Sequence, residues 1–450
     1  MLKTDGLAPL GGRRPPYLAH PGAAPAVVRP DPGNLTEWLA YIGRVHHQTV
    51  SLGLDRTAKV RDILRLDPPF PIITVGGTNG KGSTCAMLEA MLTAAGYRVG
   101  CYTSPHILHF RERVRINRSP VADREYVDAF ARTDSARGQI PLTYFEFATL
   151  AAMQIFIAAQ IDVAIMEVGL GGRLDAVNVF DPDCAVVTSI ALDHTDYLGT
   201  TREQIGFEKA GIFRAERPAV CGEPDAPSSL RQYAHEVGAN FIQVTEGFGF
   251  IPGASRWQYW CESGKPLDLP RPALVGEYQL RNAATAITAL TALGDKLSVT
   301  GDHIAQGLTG VTLPGRFEVV QNEPFIVLDV AHNPEAADAL ARNLGREAPR
   351  GRTFAVFAML GDKDIGAVVR ALADQVDVWL IASIAEDRGA PATRIEQELR
   401  QATVSPEKIS SFETASEAYA AAMDRASDRD RIVVFGSFHT VAAVQRLRAG

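Results

Sequence analysis

Short apolar runs recur along the chain, at residues 72–75, 99–102, 163–166 and 185–188, and segments with apolar residues on one helical face separate them. The runs are the length of buried strands, and a strand that returns parallel to its predecessor needs a crossover of a dozen residues or more, usually a helix. The alternation therefore predicts an α/β fold with a mainly parallel sheet, including helices over 85–95 and 282–293. An amphipathic helix is predicted from Leu35, with Leu35, Trp38, Leu39 and Ile42 on one stripe and Asn34 or Thr36 as its cap. Past the turn residues Pro314 and Gly315, a second series of strands is predicted at 325–328, 354–357, 378–382 and 432–435. This pattern divides the chain into a Pro- and Gly-rich extension (1–33), a first domain (34–312), a linker (313–322) and a smaller α/β domain (323–450). The extension has no hydrophobic periodicity and reads as a flexible segment.

Composition narrows the class. The 450 residues are 46% hydrophobic and 22% charged, as in ordinary globular domains. A net charge of −7 gives no footprint for nucleic acid. No apolar run reaches the ~20 residues of a membrane span, and no secretory signal is recognisable, so a cytoplasmic protein without a membrane partner is expected. The five cysteines are widely spaced and never form CxxC, which favours buried free thiols over disulfides or a zinc site. Arg111, Arg113 and Arg115 alternate, and by themselves read as one solvated strand face.

The chemistry starts at Gly76-Gly77-Thr78-Asn79-Gly80-Lys81-Gly82-Ser83, between a predicted strand and a predicted helix. Such a loop turns backbone N–H groups and a helix N-terminus towards phosphate. Lys81 is suited to the outer phosphates and Ser83 to Mg²⁺. The usual G-x-x-x-x-G-K-[ST] spacing is not met, because Gly82 intervenes between Lys81 and Ser83.

That variant loop resembles the ATP loop of the Mur ligase superfamily. The downstream segments Thr103–His106, Arg111–Arg115, Thr143–Phe147, Glu167–Asp175, Leu192–Thr195, Glu208–Phe213, Pro314–Phe317, Asp329–Pro334 and Gly436–His439 resemble its folate branch, the dihydrofolate synthase/folylpolyglutamate synthase family. The resemblance implies an N-terminal P-loop domain and a Rossmann-like C-terminal domain with the reaction between them. It implies that Ser83, Glu167, His194 and a carbamylated Lys209 hold Mg²⁺, two ions in all. It places ATP on Asn79, Gly80, Lys81, Gly82, Asn282, Arg316 and Asp329, with His332 as a possible helper. The pteroate or folate is implied at Arg44, Val45, His46 and His47, at Thr143, Tyr144, Phe145 and Glu146, and at Leu174, Asp175 and Ala176. On residue chemistry alone, His194 would be a packing or surface histidine, Lys209 an exposed lysine, and the aromatic cluster plain core.

The implied activity is ATP-dependent addition of L-glutamate to dihydropteroate and to tetrahydrofolate by a monomer. Hydroxide is too poor a leaving group for direct amide synthesis, so the acceptor carboxylate first takes the γ-phosphoryl group, with Lys81, Arg316 and Mg²⁺ balancing charge. A peptidoglycan amino-acid ligase and a nucleotide-gated switch are the rival readings. The Thr143–Phe147 segment argues against the first, and the joint presence of Ser83, Glu167, His194 and Lys209 against the second.

Overall fold

Seventeen strands form three sheets in the computed structural model, which describes residues 33–449 except 47, 49, 263 and 348–350. The predicted extension thus lies outside the described residues but for Gly33. In the first part the strands are β1 (Ile72–Gly76), β2 (Val99–Tyr102), β3 (Val114–Ile116), β4 (Ser119–Pro120), β5 (Val163–Glu167), β6 (Cys184–Val187), β7 (Pro218–Cys221) and β8 (Asn240–Gln243). Their order is β4-β3-β2-β5-β1-β6-β7-β8, parallel from β2 to β8, with β3 and β4 antiparallel at one edge. Three more strands, β9 (Phe248–Pro252), β10 (Arg256–Cys261) and β11 (Leu267–Pro270), make a separate antiparallel sheet.

Period-two alternation explains why both faces of the large sheet are covered. Ile73 and Val75 enter a core containing the helices Lys81–Ala94 and Tyr278–Leu293. Their neighbour Ile72 enters the opposite core, with Trp38 and Ile42 of Leu35–Val45 and most of Tyr144–Ala158. A strand buried on both faces reads as a continuous apolar run, which is why these strands were legible. The predicted cap holds too: the Asn34 side chain accepts from Glu37 N at 3.2 Å.

The remaining strands are β12 (Glu318–Asn322), β13 (Phe325–Leu328), β14 (Thr353–Phe357), β15 (Val378–Ala382), β16 (Ile409–Phe412) and β17 (Arg431–Phe435). They form a second large sheet in the order β12-β13-β17-β14-β15-β16, parallel except for β12. Alternation again splits the residues: Val327, Phe357 and Val433 face one core, while Ile326, Val356 and Ile432 face the other.

The arginine run departs from expectation. Phe110–Arg113 is a 3₁₀ turn, so Arg111 and Arg113 are not on a strand, and only Arg115 belongs to β3. Arg115 is not solvated either. Its guanidinium meets the buried Glu89 at 2.8 Å, because a charge packed behind a sheet needs an opposite one. The thiols are free as predicted, four of them buried and Cys261 half-buried.

Candidate active site

In a parallel sheet, loops at the C-terminal strand ends converge, and the reversal of strand order opens a crevice there. The loops after β1, β5 and β6 meet the second large sheet across a cleft of about 710 Å³. The loop after β1 turns at Gly80, whose φ of +88° glycine adopts without penalty; a Cβ there would sit 2.6 Å from Asn282 Oδ1. From below, Thr188 Oγ1 donates to Asn79 O at 2.7 Å and Asn79 N donates to Ser189 Oγ at 3.0 Å. Lys81 Nζ lies over the loop, donating to Gly77 O and Thr78 O, both at 3.1 Å. Helix Lys81–Ala94 begins at the loop, with its first N–H groups free to meet an anion.

Ser83, Glu167, His194 and Lys209 all line this cleft, although they come from a helix start, a strand end, a loop and a helix end. Ser83 Oγ accepts from Gln279 Nε2 at 3.3 Å. Glu167 is buried and receives Ser104 N–H on Oε2 at 2.9 Å. Burial raises its carboxyl above the ordinary range, against the pull of Lys81, the Ser104 amide and Arg316. His194 is held in the left-handed region at φ 52°. Burial, with the cations Lys363 and Lys81, lowers its imidazole to about 4, so the ring is a neutral donor at neutral pH. Lys209 is 3% exposed rather than the surface lysine that residue chemistry suggested. Burial and then Lys81 bring its amine down to about 7. Among the described residues no three His, Cys, Asp or Glu side chains are grouped as a metal site. The donors here are instead a hydroxyl, a carboxylate and a neutral imidazole, beside an amine that is readily neutral. With the amine converted to a carboxylate, this set fits a hard divalent cation.

The second large sheet supplies the facing wall. The Arg316 guanidinium lies over the Phe438 ring at 5.3 Å, and its Nη2 is 4.0 Å from where a Cβ on Gly82 would stand. Asp329 is buried, and both its oxygens are engaged, accepting from Phe317 N and Ala331 N at 2.8 Å. His332 Nδ1 is 2.8 Å from Val330 O. The two walls are tied directly. Asn79 and Asn333 exchange amide hydrogen bonds of 3.2 and 2.9 Å, and Lys363 Nζ meets Asp193 Oδ1 at 2.6 Å with both groups half-buried. Burial opposes the Asp193 charge, but His194, Lys363 and His332 outweigh it and hold the carboxyl well below its usual range.

The residues expected around pteroate lie beside and behind the cleft. Thr143 and Glu146 close a capping box at the start of Tyr144–Ala158, and Glu146 pairs with Arg56 at 3.0 Å. Tyr144 packs edge-on against Phe110 at 5.6 Å. Phe145 presses on the cleft-lining Gly169 so closely that a Cβ there would fall 2.5 Å from the ring. Asp175 is buried and accepts from Leu170 N and Val177 N at 2.8 and 2.9 Å. Burial moves its carboxyl up to about 6, against those amides. Leu174 O accepts from Gly53 N, and Ala176 is buried. Arg44 Nε donates to Ala40 O, Val45 packs on the helical core and His46 Nδ1 accepts from Gln48 N. His47 lies outside the described residues. None of the ten described ones lines the cleft itself.

Sequence reasoning missed Gln279, Asp193, Lys363, Arg281, Glu335 and His106, all close to or lining the cleft. Asp193 was recoverable, since it stands next to His194 in a quoted motif. Lys363 and Glu335 carry no local signal, because only the folded chain brings them opposite the loop.

Comparisons with known proteins agree with this architecture. The Mur ligase middle domain matches residues 75–290, and the Mur ligase glutamate ligase domain matches residues 315–438. The dihydrofolate synthase/folylpolyglutamate synthase of Escherichia coli (strain K12) is 44% identical over 414 residues, covering 92% of this chain and 95% of its own. That of Haemophilus influenzae is 38% identical over 427 residues, covering 91% and 96%. Among solved structures, E. coli FolC in complex with DHPP and ADP superposes with TM-score 0.89 at 44% identity, covering 94% of this chain and 99% of that one. The bifunctional synthase from Yersinia pestis complexed with AMPPNP and Mn ion gives 0.87 at 44% identity, covering 94% and 100%. With the P-loop cleft and both domain matches in hand, the chain belongs to the dihydrofolate synthase/folylpolyglutamate synthase family of Mur ligases and is an ATP-dependent acid–amino-acid ligase.

Proposed function

We propose that the cleft joins L-glutamate to 7,8-dihydropteroate and to tetrahydrofolate, with Lys81, His194, Lys209 and Arg316 as the groups that act on the reacting phosphate. The observation that carries this reading is the convergence of Lys81, Ser83, Glu167, His194 and Lys209 on one cleft, with Arg316 facing them from the other side. ATP is placed with its phosphates on Asn79, Gly80, Lys81 and Gly82, and with its nucleoside towards Asn282 and Asp329. The acceptor lies along the wall backed by Tyr144 and Phe145, with the remaining Thr143–Glu146 and Leu174–Ala176 residues shaping that wall, and Arg44, Val45, His46 and His47 are taken as its further contacts.

Lys81 and the N–H groups of the loop hold the γ-phosphoryl group in line with the acceptor carboxylate, and Arg316 neutralises charge from the opposite side as it transfers. The α-amine of glutamate then attacks the acyl phosphate carbon, phosphate leaves and an amide remains. Ser83, Glu167, His194 and Lys209 would hold two Mg²⁺ ions, which when bound supply Lewis-acid stabilisation of the phosphate oxygens. For that role Lys209 is carbamylated: its neutral amine adds to CO₂, releases a proton and becomes a carboxylate. The lowered amine basicity supports this step, because only the unprotonated form reacts.

The same reading takes 34–312 as the ATP- and pteroate-binding unit and 323–450 as the ligase unit. Residues 313–322 connect them, with β12 of that connection already paired into the second large sheet. It takes the enzyme as a cytoplasmic monomer; among the described residues no helix is long and apolar enough to cross a membrane. The test is ADP release by the purified chain with ATP, Mg²⁺ and each acceptor, with and without L-glutamate. Release and amide formation that require both acceptor and glutamate support the reading. Glutamate-independent hydrolysis with no amide product rejects it.

A further inference from the structure

Arg113 stands apart from the other arginines of its segment. Arg115 is paired with Glu89 and Arg111 is exposed, whereas Arg113 is only 9% exposed, lines the cleft, and has no carboxylate partner among the described residues. A guanidinium does not lose its proton in a protein, so a buried one without an anion is costly unless a ligand supplies the charge. Its surroundings fix it firmly. It lies across the rings of Phe110 and Tyr144, at 5.3 and 5.7 Å, and its Nε donates to His106 Nδ1 at 3.0 Å. Burial and Arg113 itself lower His106 to about 4. His106 is therefore neutral, and because Nδ1 accepts from Arg113, its proton sits on Nε2 as a second donor. Arg446, on the facing helix Phe438–Ala449, adds positive potential at the same spot from the other domain. Both walls thus offer positive charge at one point, and the nearby carboxylate, Glu112, is turned to the Ile107, Leu108 and His109 amides rather than to Arg113.

The position separates this charge from the phosphate-transfer centre. Arg113 lies on the aromatic wall with Tyr144, and the Ser104–His106 segment runs between it and the Glu167 region, Ser104 N donating to Glu167. In the proposed function both acceptors bring one reacting carboxylate to the γ-phosphate. An acceptor that already carries glutamate brings one carboxylate more, separated from the reacting γ-carboxylate by the α-carbon and two methylenes. We infer that Arg113, oriented by His106, is the receptor for that non-reacting α-carboxylate and so determines whether the cleft uses a glutamylated acceptor. This inference rests on the proposed function and deepens it: Arg113 is a specificity residue for one of two substrates, and His106 its positioning residue.

The experiment compares the full chain with R113M, which keeps an apolar stem against Phe110 and Tyr144, and with R113K, which keeps the charge but not the planar fork. Saturating ATP, Mg²⁺ and L-glutamate are supplied with either dihydropteroate or tetrahydrofolate, and Mg-ADP affinity and thermal midpoint report folding. The expected result for R113M is a shift in the ratio of kcat/KM for the two acceptors, on the order of tenfold to a hundredfold against tetrahydrofolate and mainly in its KM, as loss of a charge-assisted hydrogen bond predicts. R113K should recover part of that shift. An unchanged ratio, whether both reactions fall together or neither falls, overturns the inference, as does a KM increase for L-glutamate shared by both reactions. If R113M loses its fold, the ratio in R113K decides. Wild-type protein that binds Mg-ADP yet ligates neither acceptor defeats the proposed function instead, and is read from a different protein.

Discussion

The two ends of the first large sheet treat charge in opposite ways. At the end where the strands begin, Asp183 accepts from Ile72 N at 3.0 Å and meets Arg217 and Lys296 at 2.7 and 2.6 Å. At the end where they finish, Lys209 and Arg113 are buried and form no ion pair among the described residues, and Glu167 has a backbone amide in place of an ion-pair partner. Paired charge at one end serves the fold. Unpaired buried charge at the other is a standing cost that, on the proposed function, ligand phosphate, metal and carboxylate remove on binding, so this edge is destabilising by its own composition.

The sharpest way to break this contrast is Lys81→Ala. It removes a cation from the phosphate site without touching the core, and ligation should fall by roughly a thousandfold while circular dichroism and thermal midpoint stay near wild type. Turnover comparable to wild type would reject the phosphate assignment. Lys209→Met is next. Ligation should drop by roughly a hundredfold, yet resistance to urea should rise, on the order of 1–4 kcal/mol, because an unpaired buried amine is replaced by an apolar chain. A variant both inactive and less stable would contradict the comparison.

Asp183→Asn tests the other end and should have the opposite signature: activity per folded molecule retained, and stability lowered by about 1–3 kcal/mol at neutral pH. The Asp183 carboxyl is held below its ordinary 3.8: burial raises it, but Lys296, the Ile72 amide and Arg217 outweigh that. A depressed carboxylate stabilises fully above its unfolded value and loses that contribution as pH falls through its folded value. The gap between variant and wild type should therefore persist at pH 5 and close well below pH 4 in equilibrium denaturation. The smallest effect is expected for Gln279→Leu, which removes the donor to Ser83 Oγ. A severalfold rise in the Mg²⁺ concentration needed for half-maximal rate is the readout, about 1 kcal/mol of lost orientation.

Legibility followed the same division. Strands buried on both faces announced themselves: β13 and β15 lie where the apolar runs placed them, and β1 and β5 extend theirs by one residue. The antiparallel β9–β11 sheet went unread, since β10 runs Arg256-Trp257-Gln258-Tyr259 with alternate residues exposed and gives no apolar run. Helix Tyr144–Ala158 was hidden by being apolar nearly all round, so no stripe stood out. At the site, Lys81 and Ser83 follow from local chemistry. Lys209 needed the family resemblance, because no local feature reveals that Phe207-Glu208-Lys209-Ala210 turns its lysine inward. Arg113 needed the fold itself, as three arginines in alternation became a surface charge, a cleft-lining charge and an ion pair.

The amide pair between Asn79 and Asn333 constrains how the two domains can be exchanged. Each side chain both donates to and accepts from the other, across a separation of 254 residues. Exchanging either one for aspartate sets a lone pair against a lone pair, and exchanging it for a hydrophobe costs its mate both bonds of the pair, leaving Asn79 with Glu335 or Asn333 with Ala336 and Asp193. A chimera that takes one domain from a relative with a different residue at either position inherits a mismatch at the seam between the two large sheets, however well each half folds.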